Sequence, residues 1–556
     1  MSRLRGVASV RGSYSLPRYG FPFPVRSSSL ESVLVLEPTL GIDVSQPSVD
    51  APLGSTPSSD NYIMWEGGLE PRPMLSVRGT GQGRGGQIVG IFEASDTSGN
   101  RFPMVSTTTR PHWYSNGSWS ALSYVSANGI NDQPSGAVTD YWDATQIYSA
   151  LTDQHIVVWA IGSYETLYCN ISGNTLFSTV TAAPKALRIA AFDNHLVALN
   201  VVDPGSNQSA YVQRVQWSDR GDPFNWTTGL SGFEDLLTMR GMGTRILAQD
   251  QRLLVFSNEE VWQGFPRDFP FVFSFHPLDR NVGCPYPWTI AETPQGTAFL
   301  SDDYNVWLLP KGGGAAQPIG RPLHRLVRTN IDQPQRAWAA YDDITNTYQL
   351  YYPIRGGSGY PQRMAWLNLA EGSWAPQSLD RVSGGLSLTR GLQTQLSSAG
   401  TTWSGLAAAS IRWADLNMTW AQLAGASEER AVLVGSSGGT AYYFNSNATS
   451  DAGIAVESRW RSTGLGGFAP DHTKTITQIA VDYQADSSSS LTVRASQNQG
   501  ATFDLGTRVN MPTTSTLSQA IAHVYTPARY PMIEVTSEGQ RYRLFRFFVT
   551  MRRGGR

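Results

Sequence analysis

Hydrophobic residues fall in short runs along this chain, and most runs end on Gly, Asp, Asn or Ser. Runs of this kind predict strands joined by tight turns. Within His155–Thr181 the runs are Ile156–Ile161, Thr166–Ile171 and Thr175–Thr181, broken at Gly162-Ser163 and Ser172-Gly173-Asn174. Leu187–Phe192, His195–Val201 and Ala210–Trp217 form a second group, turning at Asp193-Asn194 and Asp203–Gln208. Ile246–Ala248, Arg252–Ser257, Val261–Phe265 and Phe271–Phe275 form a third. Thr289–Glu292, Thr297–Leu300 and Asn305–Leu309 make the next, then Ala337–Tyr341, Tyr348–Tyr352 and Arg363–Leu367. Ala431–Gly435, Ala441–Phe444 and Ile454–Trp460 close the series.

One strand of each group aligns: Val157-Val158-Trp159, Leu196-Val197-Ala198, Leu253-Leu254-Val255, Ala298-Phe299-Leu300, Gln349-Leu350-Tyr351 and Ala441-Tyr442-Tyr443. Most intervals are about 40–57 residues and the last is longer, a period that suits β-propeller blades. The expected fold is all-β: a propeller of about six blades over residues 101–465, with a stacked β-sandwich as the competing architecture. Thr475–Tyr483, Leu491–Ala495, Pro531–Thr536 and Tyr542–Thr550 predict an additional antiparallel β-sandwich over 466–556.

Residues 31–100 read as an N-terminal β segment docking on the propeller or on a partner. The stretch 384–430 reads as an insertion, either a surface loop or an excursion to a neighbouring subunit. Its Gly384–Gly400 part is low in charge and rich in small residues, which makes it a candidate constriction of a channel. Residues 1–30 carry five arginines and no acid before Glu31. They read as a basic Pro/aromatic arm or disordered tail, with Phe21 and Phe23 as candidate interface anchors and Arg3 and Arg5 as rim contacts.

The most distinctive stretch is Val212–Trp226, VQRVQWSDRGDPFNW. A strand to Trp217 breaks on a polar turn and closes on two aromatic residues. Gly221 can take positive φ, Pro223 fixes φ, and Asp219 can bond the turn backbone. Trp217, Asp219, Gly221, Pro223 and Trp226 are therefore assigned structural roles, the indoles pinning the turn to neighbouring sheets.

Composition agrees with strands and turns: 54 Gly, 32 Pro and 15% charged residues in 556. The formal net charge of −2 argues against a polybasic nucleic-acid binder. Only Lys185, Lys311 and Lys474 are lysines; the other cations are Arg, which suits bidentate and stacked contacts. Cys169 and Cys284 match no metal-ligand spacing and read as free buried thiols. No stretch has the length of a membrane span, and the first residues lack a secretory h-region, so the chain is expected to be made in a cytoplasm.

Searches for chemistry give no catalytic, cofactor or metal site. Gly81–Gly86 matches GxGxxG, but a strand follows it and not the helix a dinucleotide site needs. Gly435-Ser-Ser-Gly-Gly439 matches GxSxG but returns as a strand, and so reads as a hairpin turn. The seven histidines lack zinc spacing. The turn at Ser218–Trp226 misses the sialidase-type Asp-box spacing; Ser496–Phe503 comes closer, alone and within the C-terminal sandwich. Asp302-Asp303, Asp342-Asp343 and Glu259-Glu260 read as solvated turn acids, not as a glycosidase pair.

The runs GIDVSQPSVDAP and DNYIMWEGGLEPRPML, then RVQWSDRGDPFNW, GFEDL, RLLVFSNEEVWQGFP, GTAFLSDDYNVWLL and QPIG, together resemble a family of phage virion proteins. The family is the tail nozzle, or tail tubular protein B-like, component of short-tailed phages. The likeness covers about residues 40–320 and, more loosely, the C-terminal sandwich. It implies a non-enzymatic propeller-bearing subunit in a ring of six copies. That ring forms the distal DNA conduit of a virion tail, sits on an adaptor or portal assembly, holds tail fibres, and passes DNA without reading its sequence. The alternatives are a head-tail adaptor or fibre-anchoring protein of the same virion, and a glycan-binding or glycan-depolymerising propeller.

Overall fold

The computed structural model describes residues 31–554 except 66, 80–85, 97–100, 116–117, 126–136, 162–165, 172–175, 181, 203–209, 269–270, 380–386, 398–427, 467–471 and 540. Among these, seven antiparallel sheets share one plan. In each, the chain works outward by hairpins from an innermost strand, and two sheets add an earlier segment at the outer edge, Ser123–Tyr124 parallel to Leu176–Thr179 in one and Met74–Val77 in the other. Their inner strands are Ile88–Ser95, Asp143–Ser149, Lys185–Phe192, Gly243–Gln249, Ala291–Thr293, Trp338–Asp342 and Leu388–Ser397, which define blades 1 to 7.

Side chains link neighbouring blades around the ring. Gln146 of blade 2 accepts the Ser95 N–H of blade 1 at 2.8 Å. Thr145 Oγ1 accepts the Ala191 N–H of blade 3 at 3.0 Å. Arg188 Nε donates to the Thr244 carbonyl of blade 4 at 3.0 Å, and Gln249 donates to Thr297 of blade 5 at 2.9 Å. The Tyr348 hydroxyl of blade 6 donates to the Thr289 carbonyl at 2.9 Å, and Gln393 of blade 7 donates to Asp342 at 3.2 Å. Thr389 of blade 7 donates to the Ile88 carbonyl of blade 1 at 2.6 Å. The seven sheets therefore close a β-propeller.

Closure uses an early strand. Met74–Val77 pairs with Ala441–Asn445 as the fourth strand of blade 7, Tyr442 opposite Val77 and Asn445 opposite Met74. The propeller thus holds seven blades where about six were expected. The additional one is blade 1, whose inner strand Ile88–Ser95 lies in the 31–100 segment expected to dock on the propeller or on a partner.

The second strands explain the aligned apolar runs. Gln154–Ala160, His195–Val202, Arg252–Ser257, Gly296–Leu300 and Thr347–Tyr352 are almost wholly buried. A blade is covered on both faces by its neighbours, so its middle strands lose the apolar-polar alternation of a half-exposed sheet.

The region read as an insertion is also resolved differently. Leu388–Ser397 is the inner strand of blade 7, and Glu428–Ser436 pairs with it antiparallel. Gly391 fits there because a Cβ would meet the Trp338 ring at 2.4 Å. The remainder of the 384–430 stretch falls mostly outside the described residues, as do Arg3, Arg5, Phe21 and Phe23.

Two further sheets form a sandwich around one core. One runs Thr514–Ala528, Lys474–Ala485, Tyr542–Arg553, Gly68–Pro71, Tyr62–Trp65, with Glu31–Leu36 also pairing Tyr542–Arg553. The other runs Thr507–Met511, Ser489–Ser496, Met532–Glu538, Glu457–Arg461, Ser59–Asp60. Residues Leu36, Tyr62 and Leu69 share its core with Trp460, Val481, Val535 and Phe547. The sandwich therefore draws strands from the 31–73 segment as well as from 457–553. Single hydrogen bonds fix it to blade 6: Gln377 donates to the Tyr62 carbonyl at 2.8 Å, and Asn61 Oδ1 accepts the Ser378 N–H at 2.9 Å.

Candidate functional site

The propeller axis gathers the strongest concentration of unbalanced charge. Arg188, Arg245 and Arg390 lie near the leading ends of the inner strands of blades 3, 4 and 7. All three guanidiniums converge on one indole, that of Trp288, in the short turn Pro287–Thr289 before blade 5. Their Cζ atoms lie 4.3, 5.0 and 3.6 Å from the Trp288 ring centre. Tyr141 packs edge-on against the same indole at 5.7 Å. Arg390 also faces Tyr141, at 6.0 Å. Cations over aromatic faces are attracted by the ring quadrupole, but each contact contributes only about 0.5–2 kcal/mol.

One carboxylate reaches into this group. Asp143, which opens the inner strand of blade 2, takes Arg245 Nη1 at 2.5 Å and the Ile189 N–H at 3.2 Å. Arg188 spends its hydrogen bonds on the Thr244 and Leu187 carbonyls, at 3.0 and 2.7 Å. Arg390 Nε is buried and has no hydrogen-bond partner. Burial pushes the Arg390 pKa down to about 9, helped by Arg245 and Arg188 and opposed by Asp143 and Tyr141. Burial likewise pushes Arg188 down to about 10. Guanidinium stays protonated in proteins, so these shifts express a cost carried by the charged groups in the folded chain.

The turn at 217–226 lies elsewhere, on the outer part of blade 3. Asp219 is its hub: Oδ1 accepts the N–H groups of Arg220 and Leu230 at 2.9 and 2.8 Å, and Oδ2 accepts Asn225 Nδ2 at 3.3 Å. Gly229, at φ 73°, brings its backbone so close that a Cβ would sit 2.3 Å from the Asp219 carboxylate. Gly221, at φ 76°, donates to the Asn194 carbonyl and accepts the Ala150 N–H, both at 2.8 Å. The Pro223 carbonyl accepts the Trp226 indole N–H at 2.9 Å. Trp226 packs in the core shared by blades 2 and 3, and Trp217 in the core shared by blades 3 and 4, edge-on to Phe273 at 5.1 Å. Asp219 and Asp222 are thus committed to turn backbone, with Phe224 N–H on Asp222 at 3.0 Å.

Other sequence candidates are also turn residues. Ser496–Phe503 is a hairpin in which Ser496 Oγ accepts the Gly500 N–H and Asn498 Oδ1 the Thr502 N–H, both at 2.8 Å. Gly435–Gly439 links two strands of blade 7. Glu260, expected to be solvated, is fully buried. It takes the Arg240 N–H at 2.6 Å and the Trp262 indole N–H at 2.8 Å. Both cysteines are free and buried, and burial pushes each thiol up to about 12. Among the described residues no group of His, Cys, Asp and Glu could hold a metal, and no helix is long and apolar enough to cross a membrane.

Sequence reasoning missed the axial residues. The strands aligned were the apolar second strands, whereas Arg188, Arg245 and Arg390 sit in the first ones, KALRIAAF, GTRILAQ and LTRGLQTQLS. Aligning first strands would have brought into view an Arg near the start of three of the seven.

No family model and no curated protein matches the sequence. Solved structures do match in fold. BamB from Moraxella catarrhalis is 13% identical, over 74% of this chain and 96% of that one, with a TM-score of 0.34. The Pan2 WD40 domain of Neurospora crassa is 7% identical over 68% and 96%, at 0.34. An exo-β-1,3-galactanase from Phanerochaete chrysosporium is 9% identical over 85% and 100%, at 0.27. These are likenesses of fold alone.

Proposed function

We propose that this chain is a structural subunit of a short-tailed phage tail, a nozzle component that assembles as a ring of six copies on an adaptor or portal assembly. The reading starts from the sequence resemblance across residues 40–320, and one structural observation supports it. Among the described residues, one row across the outer face of the sandwich is apolar and is exposed at its two ends, Val35 and Ile521. Val35, Phe548, Ala480 and Ile521 stand directly opposite one another across four strands. On the same sheet Val33 is 58%, Leu517 57% and Tyr525 80% exposed. The strand Thr514–Ala528 forms one edge, 15 residues long. Apolar faces and long open edges of this kind mark association surfaces. Arg546 and Arg552 beside the apolar row supply the guanidiniums that such interfaces favour.

In this reading no residue has a catalytic role, and DNA passes a wall without strong cationic attraction, consistent with the formal net charge of −2. Light scattering and negative-stain imaging of the purified chain, alone and with its adaptor, test it. Rings are expected in at least one condition; a monomer in both would overturn the reading. Ile521→Arg should abolish the rings while changing subunit stability by less than about 0.5 kcal/mol, because the side chain is at the surface.

A further inference from the structure

The axial arginine cluster has more cations than carboxylates. Three guanidiniums meet on Trp288, one carboxylate answers them, and that carboxylate is engaged by Arg245 and the Ile189 amide. Arg336 adds a further cation on the Tyr141 side. It stacks over Tyr360 at 4.9 Å and donates to the Gly359 carbonyl at 3.0 Å. Glu292, an exposed residue on the inner strand of blade 5, also interacts with Arg245. Buried like charges normally separate, shed their charge or find a counter-ion. Arginine does not shed its charge, and the inner strands of three blades hold these side chains together.

Arg390 supplies the second, independent observation. Its Nε is buried with no hydrogen-bond partner, although the guanidinium is a rigid fork built for paired oxygens. A buried donor left open costs about 1–3 kcal/mol, so the position favours an acceptor that arrives from outside.

We propose that the axial cluster of Arg188, Arg245 and Arg390 is a binding site for a small oxyanion, a carboxylate or phosphate group. Arg390 donates from its free Nε edge, and Arg188 and Arg245 supply the surrounding positive field. Trp288 and Tyr141 wall the site and keep the guanidiniums from turning away. The chemistry is charge-assisted hydrogen bonding to paired oxygens, with no bond made or broken. The inference is independent of the assembly reading: ring formation and anion binding are measured separately, and either can fail alone.

The test uses the full chain. Melting temperature and calorimetric titration are followed with inorganic phosphate and, separately, with glucuronate, against chloride at matched ionic strength. Either anion should raise the melting temperature saturably, by several degrees, where chloride does not. Phosphate alone would assign a phosphoryl ligand, glucuronate alone a carboxylate one, and both the shared chemistry. Arg390→Met should weaken binding at least tenfold and leave the melting temperature in chloride unchanged or higher, because a cation is removed from a cationic cluster. Arg390→Lys keeps the charge, loses the fork and should also bind at least tenfold more weakly. Arg430→Met, on the second strand of blade 7 where it pairs with Asp343, should bind as the parent does. Two results would overturn the proposal: no shift beyond chloride, or the same shift in the parent and both Arg390 variants.

Discussion

The propeller and the sandwich solve the same packing problem in different ways. Blades 1 to 6 form mainly from consecutive hairpins, so most of their contacts are between neighbours in sequence. The sandwich places Glu31–Leu36 against Tyr542–Arg553, Glu31 opposite Arg552. It also pairs Ser59–Asp60 with Glu457–Arg461. Closing such distant pairs carries a larger chain-entropy cost before contacts offset it. Blade 7 belongs to both schemes, since its fourth strand is Met74–Val77. The consequence is a single lock: the chain segment 59–77 completes the sandwich, docks on blade 6 and closes the ring. Surface chemistry divides along the same line. The propeller buries charge at its axis, and the sandwich exposes an apolar row on a mixed outer face.

The lock can be broken at one side chain. Arg72 and Asp451 form a bidentate pair with both side chains fully buried, at 3.0 and 2.5 Å. Arg72 also reaches Asn61 Oδ1 at 3.0 Å and the Ser378 carbonyl at 3.3 Å, while Asp451 takes the Leu75 N–H at 2.7 Å. Asp451→Ala leaves a guanidinium buried without its counter-ion and should cost about 3–5 kcal/mol in urea unfolding. Because the pair touches sandwich, blade 6 and the closing strand, both regions should lose stability together. A loss confined to one region would show that the propeller closes without the lock.

The contrast also explains what the sequence could convey. A blade is local, so its strands and turns are written in order, and the middle-strand runs at Val157–Trp159 or Leu253–Val255 report burial on two faces. Six such runs gave about six blades. Blade 1 escaped because its second strand, Arg101–Thr107, contains Pro103 and opens on an exposed Arg, so it lacks the uniform apolar run. The closing strand, four residues long, carries no local mark of a partner more than three hundred residues away. The axial cluster was illegible for a related reason. Each Arg looks like an ordinary strand residue, and only ring closure places the three on one indole. By contrast, the components of the turn at 217–226 are adjacent, and its Gly, Pro and Asp chemistry could be read directly.

That turn gives the next largest effect, and a local one. Asp219→Ala removes the acceptor for the Arg220 and Leu230 amides and for Asn225. Loss of a charged acceptor from buried or half-buried donors should cost about 1–3 kcal/mol. If propeller stability is modular, hydrogen exchange should speed up in blades 2 to 4 and leave the sandwich unchanged. Asp219→Asn keeps one acceptor oxygen and should recover part of the loss. Equal protection changes in the sandwich would remove the distinction between the regions.

The finest test uses protons. His195 is 1% exposed in blade 3, edge-on to Phe273 of blade 4 at 5.4 Å. Its Nδ1–H donates to the Ser218 carbonyl at 2.7 Å. Burial lowers its pKa from the ordinary 6.5, opposed by the Ser218 bond and Asp193, with Arg220 adding to the lowering and Asp219 opposing it. Below pH 6.5 the unfolded chain therefore takes up this proton before the folded chain does. The contribution to stability is fully present above that pH and is lost as pH falls toward the folded-state value. Acidification from pH 7 to 5 should thus lower propeller stability, and His195→Gln should flatten that slope. Urea unfolding at the two pH values, followed by exchange in blade 3 and in Thr514–Ala528, measures both, and equal slopes in parent and His195→Gln would sink the assignment.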